Sequence, residues 1–363
     1  MKTLARLRLS SWRILSPWHL VLILVISMSN VATAVEKTPV AIAIHGGAGT
    51  IRRDLMGPEM EIEYRAILSS ATLAGHRVLT AGGSSRDAVI ATITLMEGSP
   101  LFNAGHGAVF NHEGNIELDA SIMEGRTLNA GAVAALTRIK SPITLANAVL
   151  DHSSHVMLVG AGAEVFAQQQ GFDLVSNSYF KTERRRLQLE RIIAKEQSVA
   201  QLPELSNSLL LKYQFDEKKL GTVGAVAIDQ NGDIAAGTST GGMTNKRFGR
   251  VGDAPIIGAG TYADNESCGI SATGHGEYFI RESVAYQVNA QMIWGQKTLA
   301  DAAHYTLFEV LNADAGQGGL IGLDAEGHAV MTFNSPGMYR GAKGVEVRSQ
   351  TGVPTRYVGI YGD

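Results

Sequence analysis

A threonine stands between a glycine and a strand-like run of small residues at positions 221–227, Gly-Thr-Val-Gly-Ala-Val-Ala. A threonine hydroxyl is a poor nucleophile without a base beside it, and an N-terminal threonine supplies that base as its own α-amine, whose pKa of about 8 suits neutral pH. The amine of Thr222 exists only if the bond after Gly221 is cut. Because glycine tolerates strained dihedral angles, that bond suits attack by the Thr222 hydroxyl itself. By itself the pattern also fits a threonine that merely starts a strand. The neighbouring residues must therefore distinguish a catalytic threonine from a structural one.

A second threonine follows after a turn rich in Asp, Asn and Gly. Residues 238–246 read Thr-Ser-Thr-Gly-Gly-Met-Thr-Asn-Lys. A β-hairpin across the turn would return Thr240 to the level of Thr222. Two threonine hydroxyls would then share one site.

Charged and hydroxyl side chains farther along suit a small substrate. Arg250 and Asp253 offer a guanidinium and a carboxylate three residues apart, a pair that can hold the carboxylate and the ammonium of one amino acid. Thr273 and Gly274 lie where a predicted strand ends and a helix begins, so a hydroxyl and a backbone amide there can stabilise an oxyanion. Taken alone, the first pair also fits a surface ion pair and the second an ordinary helix start.

Strands in hairpins and blocks of helix must position these residues. An apolar strand at 40–44 runs into HGGAG at 45–49, where glycines present free backbone amides. Apolar periodicity predicts helices, and alternating apolar runs broken by Asp/Asn/Gly turns predict hairpins. The predicted helices are 58–80, 84–96 (with a capping box from Ser84), 143–151, 164–170, 277–294 and 299–312, and the predicted hairpins are 108–118, 223–237 and 320–333. Hairpins alternating with helices predict an α+β fold with an antiparallel core covered by helices.

Residues 183–221 do not fit that alternation. They open with Glu183 and three consecutive arginines, continue as a polar helix to about Glu196 and then become irregular. We interpret the segment as an exposed, mobile connector that delivers Thr222 to its strand. Cleavage before Thr222 would leave an α subunit of residues 35–221 and a β subunit of residues 222–363, which together build one globular domain.

Residues 1–34 have the three parts of a signal peptide. Four basic residues precede an apolar run at 20–28, which is followed by Ala-Thr-Ala at 32–34. An uncleaved membrane anchor is the alternative, but polar residues around Pro17 leave the apolar run short of the roughly 20 residues that a spanning helix needs. The sequence therefore predicts a secreted or periplasmic protein that leaves the membrane once the signal is removed.

Composition excludes several other classes of protein. Of 363 residues, 45% are hydrophobic and 18% are charged, which is typical of a globular protein. Removing a signal peptide with four basic and no acidic residues changes the formal charge from -3 to -7, which argues against binding nucleic acid through its phosphates. Cys268 is the only cysteine, so no intrachain disulfide can form, and no motif supports a cysteine nucleophile.

Together these residues resemble the plant-type L-asparaginase and isoaspartyl peptidase family of N-terminal nucleophile hydrolases, over essentially the whole chain after residue 34. Residues 45–49 look like the family's opening strand motif, and residues 100–110 with Glu-Leu-Asp-Ala at 117–120 are similar to its glycine-rich loop and hairpin. Residues 221–227 match its cleavage motif in place and spacing. The resemblance implies a four-layer αββα sandwich and a mature dimer of cleaved α/β pairs, which is a heterotetramer.

The resemblance also implies catalytic roles. Thr222 would be the nucleophile and, through its new amine, the base, while Thr240 hydrogen-bonds and helps to activate it. Thr273 and Gly274 would form the oxyanion hole at the substrate's reacting carbonyl. Asn103 would lie close to the nucleophile and help to align the precursor.

Substrate recognition is implied in the same way. Arg250 would hold the substrate α-carboxylate and Asp253 its α-amine. The expected reaction is hydrolysis of β-aspartyl (isoaspartyl) dipeptides and of the side-chain amide of L-asparagine, with release of L-aspartate. The relatives that remove sugar-linked asparagine, and the threonine aspartases, usually have Asp before the nucleophile. Gly221 favours the asparaginase branch, and those two activities remain the alternative.

No organic cofactor is implied, but a structural sodium ion is. In this family a loop winds its backbone carbonyls around the ion, and the corresponding residues here are 96–106. The matching carbonyls belong to Met96, Glu97, Ser99, Phe102, Ala104 and His106. Backbone ligands leave little trace in a sequence, so this expectation rests on the resemblance alone.

Three rival interpretations stay open. Residues 237–241 fit the Gly-x-Ser-x-Gly nucleophile elbow of serine esterases, although a loop rather than a helix is predicted after them. His152 and His155 are spaced like metal ligands, but no third ligand stands at a recognisable spacing. The third is an exported amino-acid-binding protein that keeps Arg250 and Asp253 and is never processed.

Overall fold

Two β-sheets stack face to face in the computed structural model, which describes residues 40–200, 221–311, 316–344 and 356–362. The strands are β1 (Ala41–Gly49), β2 (Leu118–Glu124), β3 (Ala130–Leu136), β4 (Met157–Val159), β5 (Val223–Ile228), β6 (Ile234–Thr240), β7 (Thr261–Ala263), β8 (Cys268–Gly274), β9 (Gly318–Asp324), β10 (Ala329–Phe333), β11 (Gly337–Lys343) and β12 (Arg356–Tyr361). The eight-stranded sheet has the order β12-β11-β1-β5-β6-β2-β3-β4, and the four-stranded sheet has the order β10-β9-β8-β7. All pairings are antiparallel except the one between β3 and β4, which is parallel.

Helices cover the outer face of each sheet. They are α1 (Pro58–Thr80), α2 (Ser85–Glu97), α3 (Pro142–His152), α4 (Gly160–Gln169), α5 (Glu183–Ala200), α6 (Gly276–Arg281), α7 (Val284–Ile293) and α8 (Leu299–Tyr305), which continues as a π-helical turn, Thr306–Val310. The first four pack on the larger sheet, and α7 and α8 pack on the smaller one. The result is the expected four-layer αββα sandwich. No helix in the described ranges is both long and apolar enough to cross a bilayer.

Each interface between layers has its own apolar cluster because side chains along a strand alternate between its two faces. On β5, Val223 and Ala225 pack under the helices of the larger sheet, whereas Val226 faces the smaller sheet. The third cluster lies between the smaller sheet and helices α7 and α8, and it includes Cys268. Burial raises the pKa of the Cys268 thiol to about 12, which leaves it unreactive as a nucleophile.

Two of the predicted hairpins share one turn chemistry. Asp229 Oδ1, between β5 and β6, accepts from two backbone N–H groups of its own turn, and Asp324 Oδ1 does the same between β9 and β10. The fourth residue of each turn, Gly232 or Gly327, has a left-handed backbone with φ of +81° and +83°, which glycine adopts without steric cost. These turns confirm both hairpins and set the register that carries Thr240 back toward Thr222.

Two sequence expectations are wrong where tertiary contacts override local pattern. The hairpin predicted at 108–118 is reduced to one bridge between Phe110 and Ile116, because the backbone around Phe110 bonds instead to residues 245–246. The single helix predicted at 277–294 is split into α6 and α7 at Ser283, whose backbone is left-handed with φ of 47°. Early N–H groups of α7 then bond to carbonyls in the loop at 258–259.

The predicted exposed connector begins as a packed part of the fold. Leu189 and Ile192 on α5 are buried, and so is Arg185. The Arg185 guanidinium donates to the carbonyls of Gly107 at 2.7 Å and Leu101 at 3.5 Å, so its charge is satisfied by the glycine-rich loop. The helical part is therefore exposed along one face and packed along the other, so the expectation of exposure holds for one face only. Residues 201–220 and the predicted signal peptide lie outside the described residues.

Candidate active site

Thr222 lies directly before β5, opposite the end of β6. Val223 pairs with Ser239 in the hairpin register, which brings the Thr222 hydroxyl within 3.2 Å of Thr240 Oγ1, to which it donates. Thr240 Oγ1 also accepts from the Gly242 N–H at 3.0 Å. The second threonine therefore accepts a hydrogen bond from the first, and Thr222 itself is only 8% exposed.

The backbone on both sides of the predicted cleavage site requires glycine, at Gly221 and at Gly47. Gly221 is left-handed, with φ of +71°. Gly47, at φ of +108°, packs against it so closely that a Cβ on Gly47 would overlap the Gly221 backbone. The glycines at 45–49 thus permit a close approach to the predicted cleavage site, which is a more specific role than presenting free amides.

One pocket in front of Thr222 collects most of the predicted site. The space between its lining residues is about 530 Å³, including the mouth that opens to solvent. Its predicted members are Gly221, Thr222, Thr240, Arg250, Asp253, Thr273 and Gly274. It is also lined by residues to which the sequence assigned no catalytic or substrate-binding role, namely Ala48, Gly49, Gly242, Met243, Gly252, His275, Gln317, Gly318 and Ser335.

Arg250 is held in one orientation by Glu277. Its Nε and Nη2 donate to the two carboxylate oxygens of Glu277, each at 2.9 Å, in the bidentate geometry that the guanidinium fork favours. Gly252 and Gly276 frame the guanidinium, since a Cβ on either would lie 2.7 Å from one of its nitrogens. No spacing rule connects Glu277 with Arg250, so sequence reasoning missed this partner.

Asp253 lines the pocket and has a buried carboxylate oxygen without a hydrogen-bond partner among the described residues. The residue is 4% exposed, and its Oδ2 has no hydrogen-bond partner within the described part of the chain. Burial raises the pKa of Asp253 to about 7, although the nearby Arg250 charge acts in the opposite direction. A buried carboxylate in this state needs a charged donor, which the ammonium of an amino acid can supply.

Thr273 and Gly274 face the pocket at the end of β8. Thr273 Oγ1 accepts from the Ala48 N–H at 3.3 Å, so its own hydroxyl proton can be donated to an acceptor in the pocket. Gly274 lies so close to Phe279 and to the Gln317 carbonyl that a Cβ there would lie 2.5 Å and 2.6 Å from them. A hydroxyl that can donate from this position can stabilise an oxyanion in the pocket.

Asn103 lies behind the pocket wall. Its Nδ2 donates to the Gly242 carbonyl at 2.8 Å, and its Oδ1 accepts from the Val109 N–H at 3.0 Å. Gly242 in turn donates to Thr240. Asn103 therefore supports the turn that orients the second threonine, and it does not line the pocket itself.

The loop expected to hold sodium closes back on the end of α2. A Cβ on Gly105 would overlap the Glu97 carbonyl, so the two ends of the loop lie against each other. The carbonyls of Met96 and Ala104 each accept a loop N–H, at 3.1 Å and 3.2 Å, and the Met96 carbonyl also accepts from the N–H of Gly98. The Ala104 oxygen keeps a second lone pair for a cation. The Glu97 carboxylate bonds to Ser239 Oγ at 2.6 Å instead of facing the loop. The arrangement fits ligation by backbone oxygens alone.

The rival sites do not assemble. Ser239, the nucleophile of the elbow interpretation, is fully buried and donates to Glu97 on the helix side of the sheet, away from the pocket, so that interpretation is wrong. His152 is the last residue of α3. Within the described ranges, one group of three side chains could hold a metal ion, and it consists of Asp324, Glu326 and His328, where the aspartate caps the β9–β10 turn.

The sequence of this chain is similar to those of known proteins along most of its length. The family model described as Asparaginase matches residues 38–353. The isoaspartyl peptidase of Salmonella typhimurium is 48% identical over 299 residues, which cover 82% of this chain and 93% of that protein. The isoaspartyl peptidase of Escherichia coli is 47% identical over 300 residues, covering 82% and 91%. The isoaspartyl peptidase/L-asparaginase of Bos taurus is 40% identical over 300 residues, covering 83% and 91%.

Proposed function

The chain belongs to the asparaginase family, and from this premise we propose that it is a threonine hydrolase activated by its own cleavage before Thr222. Its substrates are β-aspartyl dipeptides and the side-chain amide of L-asparagine, and its product is L-aspartate. The observation that carries the proposal is the 3.2 Å contact between the Thr222 hydroxyl and Thr240 Oγ1, in a pocket that also holds Arg250 and Asp253. The names of the relatives, isoaspartyl peptidase and L-asparaginase, support the same substrates.

Maturation begins when Thr222 Oγ1 attacks the carbonyl carbon of Gly221. The peptide C–N bond is exchanged for an ester, and water then hydrolyses the ester to leave a carboxylate on Gly221 and a free α-amine on Thr222. The lack of side chains on Gly221 and on Gly47, which packs against it, supports this step because it leaves room around the carbonyl.

Hydrolysis of substrate uses the same hydroxyl. The new α-amine takes the proton from Thr222 Oγ1, which attacks the side-chain carbonyl carbon of the substrate, and Thr273 and Gly274 stabilise the oxyanion. The protonated amine returns the proton to the leaving amine, which departs as ammonia or as an amino acid. Water then repeats the sequence on the ester and frees aspartate. Throughout, Arg250 and Asp253 hold the α-carboxylate and α-amine.

Aspartate release by purified protein tests the proposal. We expect release from β-aspartyl-leucine and from L-asparagine, and none from Thr222→Ala, which should also remain a single chain. Thr222→Ser is the matched control, because it keeps the hydroxyl and should still cleave and turn over. Hydrolysis by Thr222→Ala would refute the assignment of the nucleophile.

The same assay separates the alternatives. Preference for N-glycosylated asparagine would place the chain with the glycosylasparaginases, and cleavage of a protein at an internal aspartate would indicate a threonine aspartase. Wild-type protein that stays uncut and binds amino acids without turnover would support the exported binding protein.

Export and assembly are part of the proposal. Residues 1–34 direct the chain to the periplasm or beyond and are then removed, and two cleaved α/β pairs associate as a heterotetramer. Four exposed apolar side chains on and beside β4 support a further protein contact, Val156, Met157, Val159 and Val165. Cell fractionation tests the first point. Light scattering tests the second, since a particle containing one α and one β fragment would contradict it.

A sodium ion in the loop at 96–106 is also proposed, because the two ends of that loop lie against each other. Sodium would stabilise the folded protein by binding it selectively. The unfolding midpoint should therefore be higher in sodium chloride than in choline chloride at equal ionic strength. Equal midpoints in the two salts would contradict the site.

A further inference from the structure

Buried polar side chains between the two sheets form a hydrogen-bonded series that ends on Thr222. We call it the inter-sheet chain, and its members are Ser121, Thr261, Thr238, Ser271 and His45. They come from five strands, and each is 0% exposed. The reaction described above uses none of them.

His45 connects the inter-sheet chain to the nucleophile. Its Nδ1 lies 3.0 Å from the carbonyl oxygen of Thr222, and its Nε2 lies 2.9 Å from Ser271 Oγ. A carbonyl oxygen can only accept, so Nδ1 carries the proton. Burial lowers the pKa of His45 to about 3, so the ring is neutral and Nε2 accepts from the Ser271 hydroxyl. The tautomer and the orientation of the ring are thereby set from both sides.

The remaining hydroxyls are able to donate in the same direction. Since Ser271 gives its proton to His45, it accepts from Thr238, whose Oγ1 is 2.7 Å away, and Thr238 also has the Gly260 carbonyl at 3.0 Å. Thr261 donates to Thr238 at 2.6 Å. Ser121 shares its one proton between Thr261 at 2.8 Å and the Ala254 carbonyl at 2.6 Å, so the series in one direction begins at Thr261. Hydrogen bonds that run in one direction polarise one another, so the series strengthens the donor that reaches Thr222.

Gly224 leaves the space that the inter-sheet chain needs. It lies two residues after Thr222, and a Cβ there would overlap both Ser271 Oγ and His45 Nε2. The second glycine of the Gly-Thr-Val-Gly motif therefore has a physical role that is separate from self-cleavage.

We infer that the inter-sheet chain positions Thr222 in the mature enzyme, by holding the backbone carbonyl of the nucleophile through His45. The inference rests on the proposed function. Once the bond before Thr222 is cut, the backbone no longer holds that residue from its N-terminal side. The contacts of the uncut chain that remain to hold it are the His45 bond to its carbonyl, the contact of its hydroxyl with Thr240 and the strand that follows. Because the nucleophile and its base are on this one residue, an anchor on its carbonyl orients both.

Loss of the anchor should affect turnover and spare substrate binding. The residues that hold the α-groups of the substrate, Arg250 and Asp253, belong to a separate arrangement in which Glu277 fixes the guanidinium. A misaligned nucleophile lowers kcat, because the reacting atoms no longer meet in the productive geometry. His45, Ser271 and Thr238 are therefore positioning residues.

Two substitutions with a matched control test the inference. Ser271→Ala and Thr238→Val are made in the full chain, and Thr72→Val is the control, since Thr72 is equally buried and its hydroxyl donates to the Leu68 carbonyl within α1. We express kcat per cleaved chain. The kcat of Ser271→Ala should fall about tenfold or more, and that of Thr238→Val should fall less, because Thr238 is one hydrogen bond farther from the nucleophile. The KM for β-aspartyl-leucine and the inhibition constant of L-aspartate should keep their wild-type values in all three.

The outcomes separate the inference from the function on which it rests. Wild-type kcat in both variants, with an active wild-type enzyme, overturns the inference and leaves the proposed function standing. An inactive wild type overturns the proposed function itself. An equal fall in kcat for Thr72→Val, or a raised KM with kcat unchanged, also overturns the inference. If Ser271→Ala does not fold, the kcat of Thr238→Val tests the inference alone: a lowered kcat supports it, and a wild-type kcat overturns it.

Discussion

Asp253 should make L-aspartate and succinate bind with different pH dependences. Burial raises the pKa of Asp253 to about 7, and its Oδ2 has no protein partner among the described residues. The ammonium of L-aspartate needs the ionised carboxylate. With a pKa of about 7, the ionised fraction is about 0.1 at pH 6 and about 0.9 at pH 8, so the inhibition constant of L-aspartate should fall roughly tenfold over that range.

Succinate is the matched ligand because it has both carboxylates of aspartate and lacks the α-amine. It gains nothing from an ionised Asp253, so its inhibition constant should stay constant or rise between pH 6 and pH 8. Competitive inhibition of β-aspartyl-leucine hydrolysis measures both ligands on one enzyme, and their ratio removes the ionisation of the Thr222 amine that both share. Asp253→Asn should abolish the difference. Parallel pH profiles for the two ligands on the wild-type enzyme would refute the assignment of Asp253 to the α-amine.

Other substitutions test the remaining supports of the site. Glu277→Gln leaves Arg250 with a weaker partner, so initial rates should show KM for asparagine raised about three- to tenfold with kcat kept, and an unchanged KM would contradict the support. Gly47→Ala brings a Cβ against the backbone of Gly221, so intact-mass time courses should show cleavage slowed about tenfold or more. Gly57→Ala is the control, because a Cβ there meets open space, and it should cleave at the wild-type rate. Arg185→Met removes the donor to two loop carbonyls and should lower the free energy of unfolding by about 1–3 kcal/mol, seen as a lower denaturant midpoint at constant slope. An unshifted midpoint would mean that α5 does not stabilise that loop.

Local chemistry accounts for the parts of the fold that the sequence predicts well. The helix predicted at 58–80 is α1, Pro58–Thr80, because its periodicity extends over many turns. Ser84 caps the helix as predicted, since its hydroxyl accepts from the Asp87 N–H, while the Asp87 carboxylate accepts from that same hydroxyl, so half of the predicted capping box forms. The turn after Asp229 predicts the β5–β6 hairpin, and that hairpin alone is enough to bring Thr240 to Thr222.

Contacts between distant segments account for what the sequence does not predict. Ser283 breaks a helix whose periodicity continues past it, because the following turn bonds to a loop more than twenty residues upstream. Arg185 looks solvated in the sequence but is buried against loop carbonyls that are far away in the chain. Glu277 and the inter-sheet chain meet their partners only across strands and sheets, so no spacing rule finds them.

The intact mass of the purified protein after incubation at neutral pH shows whether Thr222 becomes an N-terminal nucleophile. We expect two fragments, with N-terminal sequencing of the smaller one reading Thr-Val-Gly-Ala. A persistent single chain, or a smaller fragment that begins at any other residue, would contradict it.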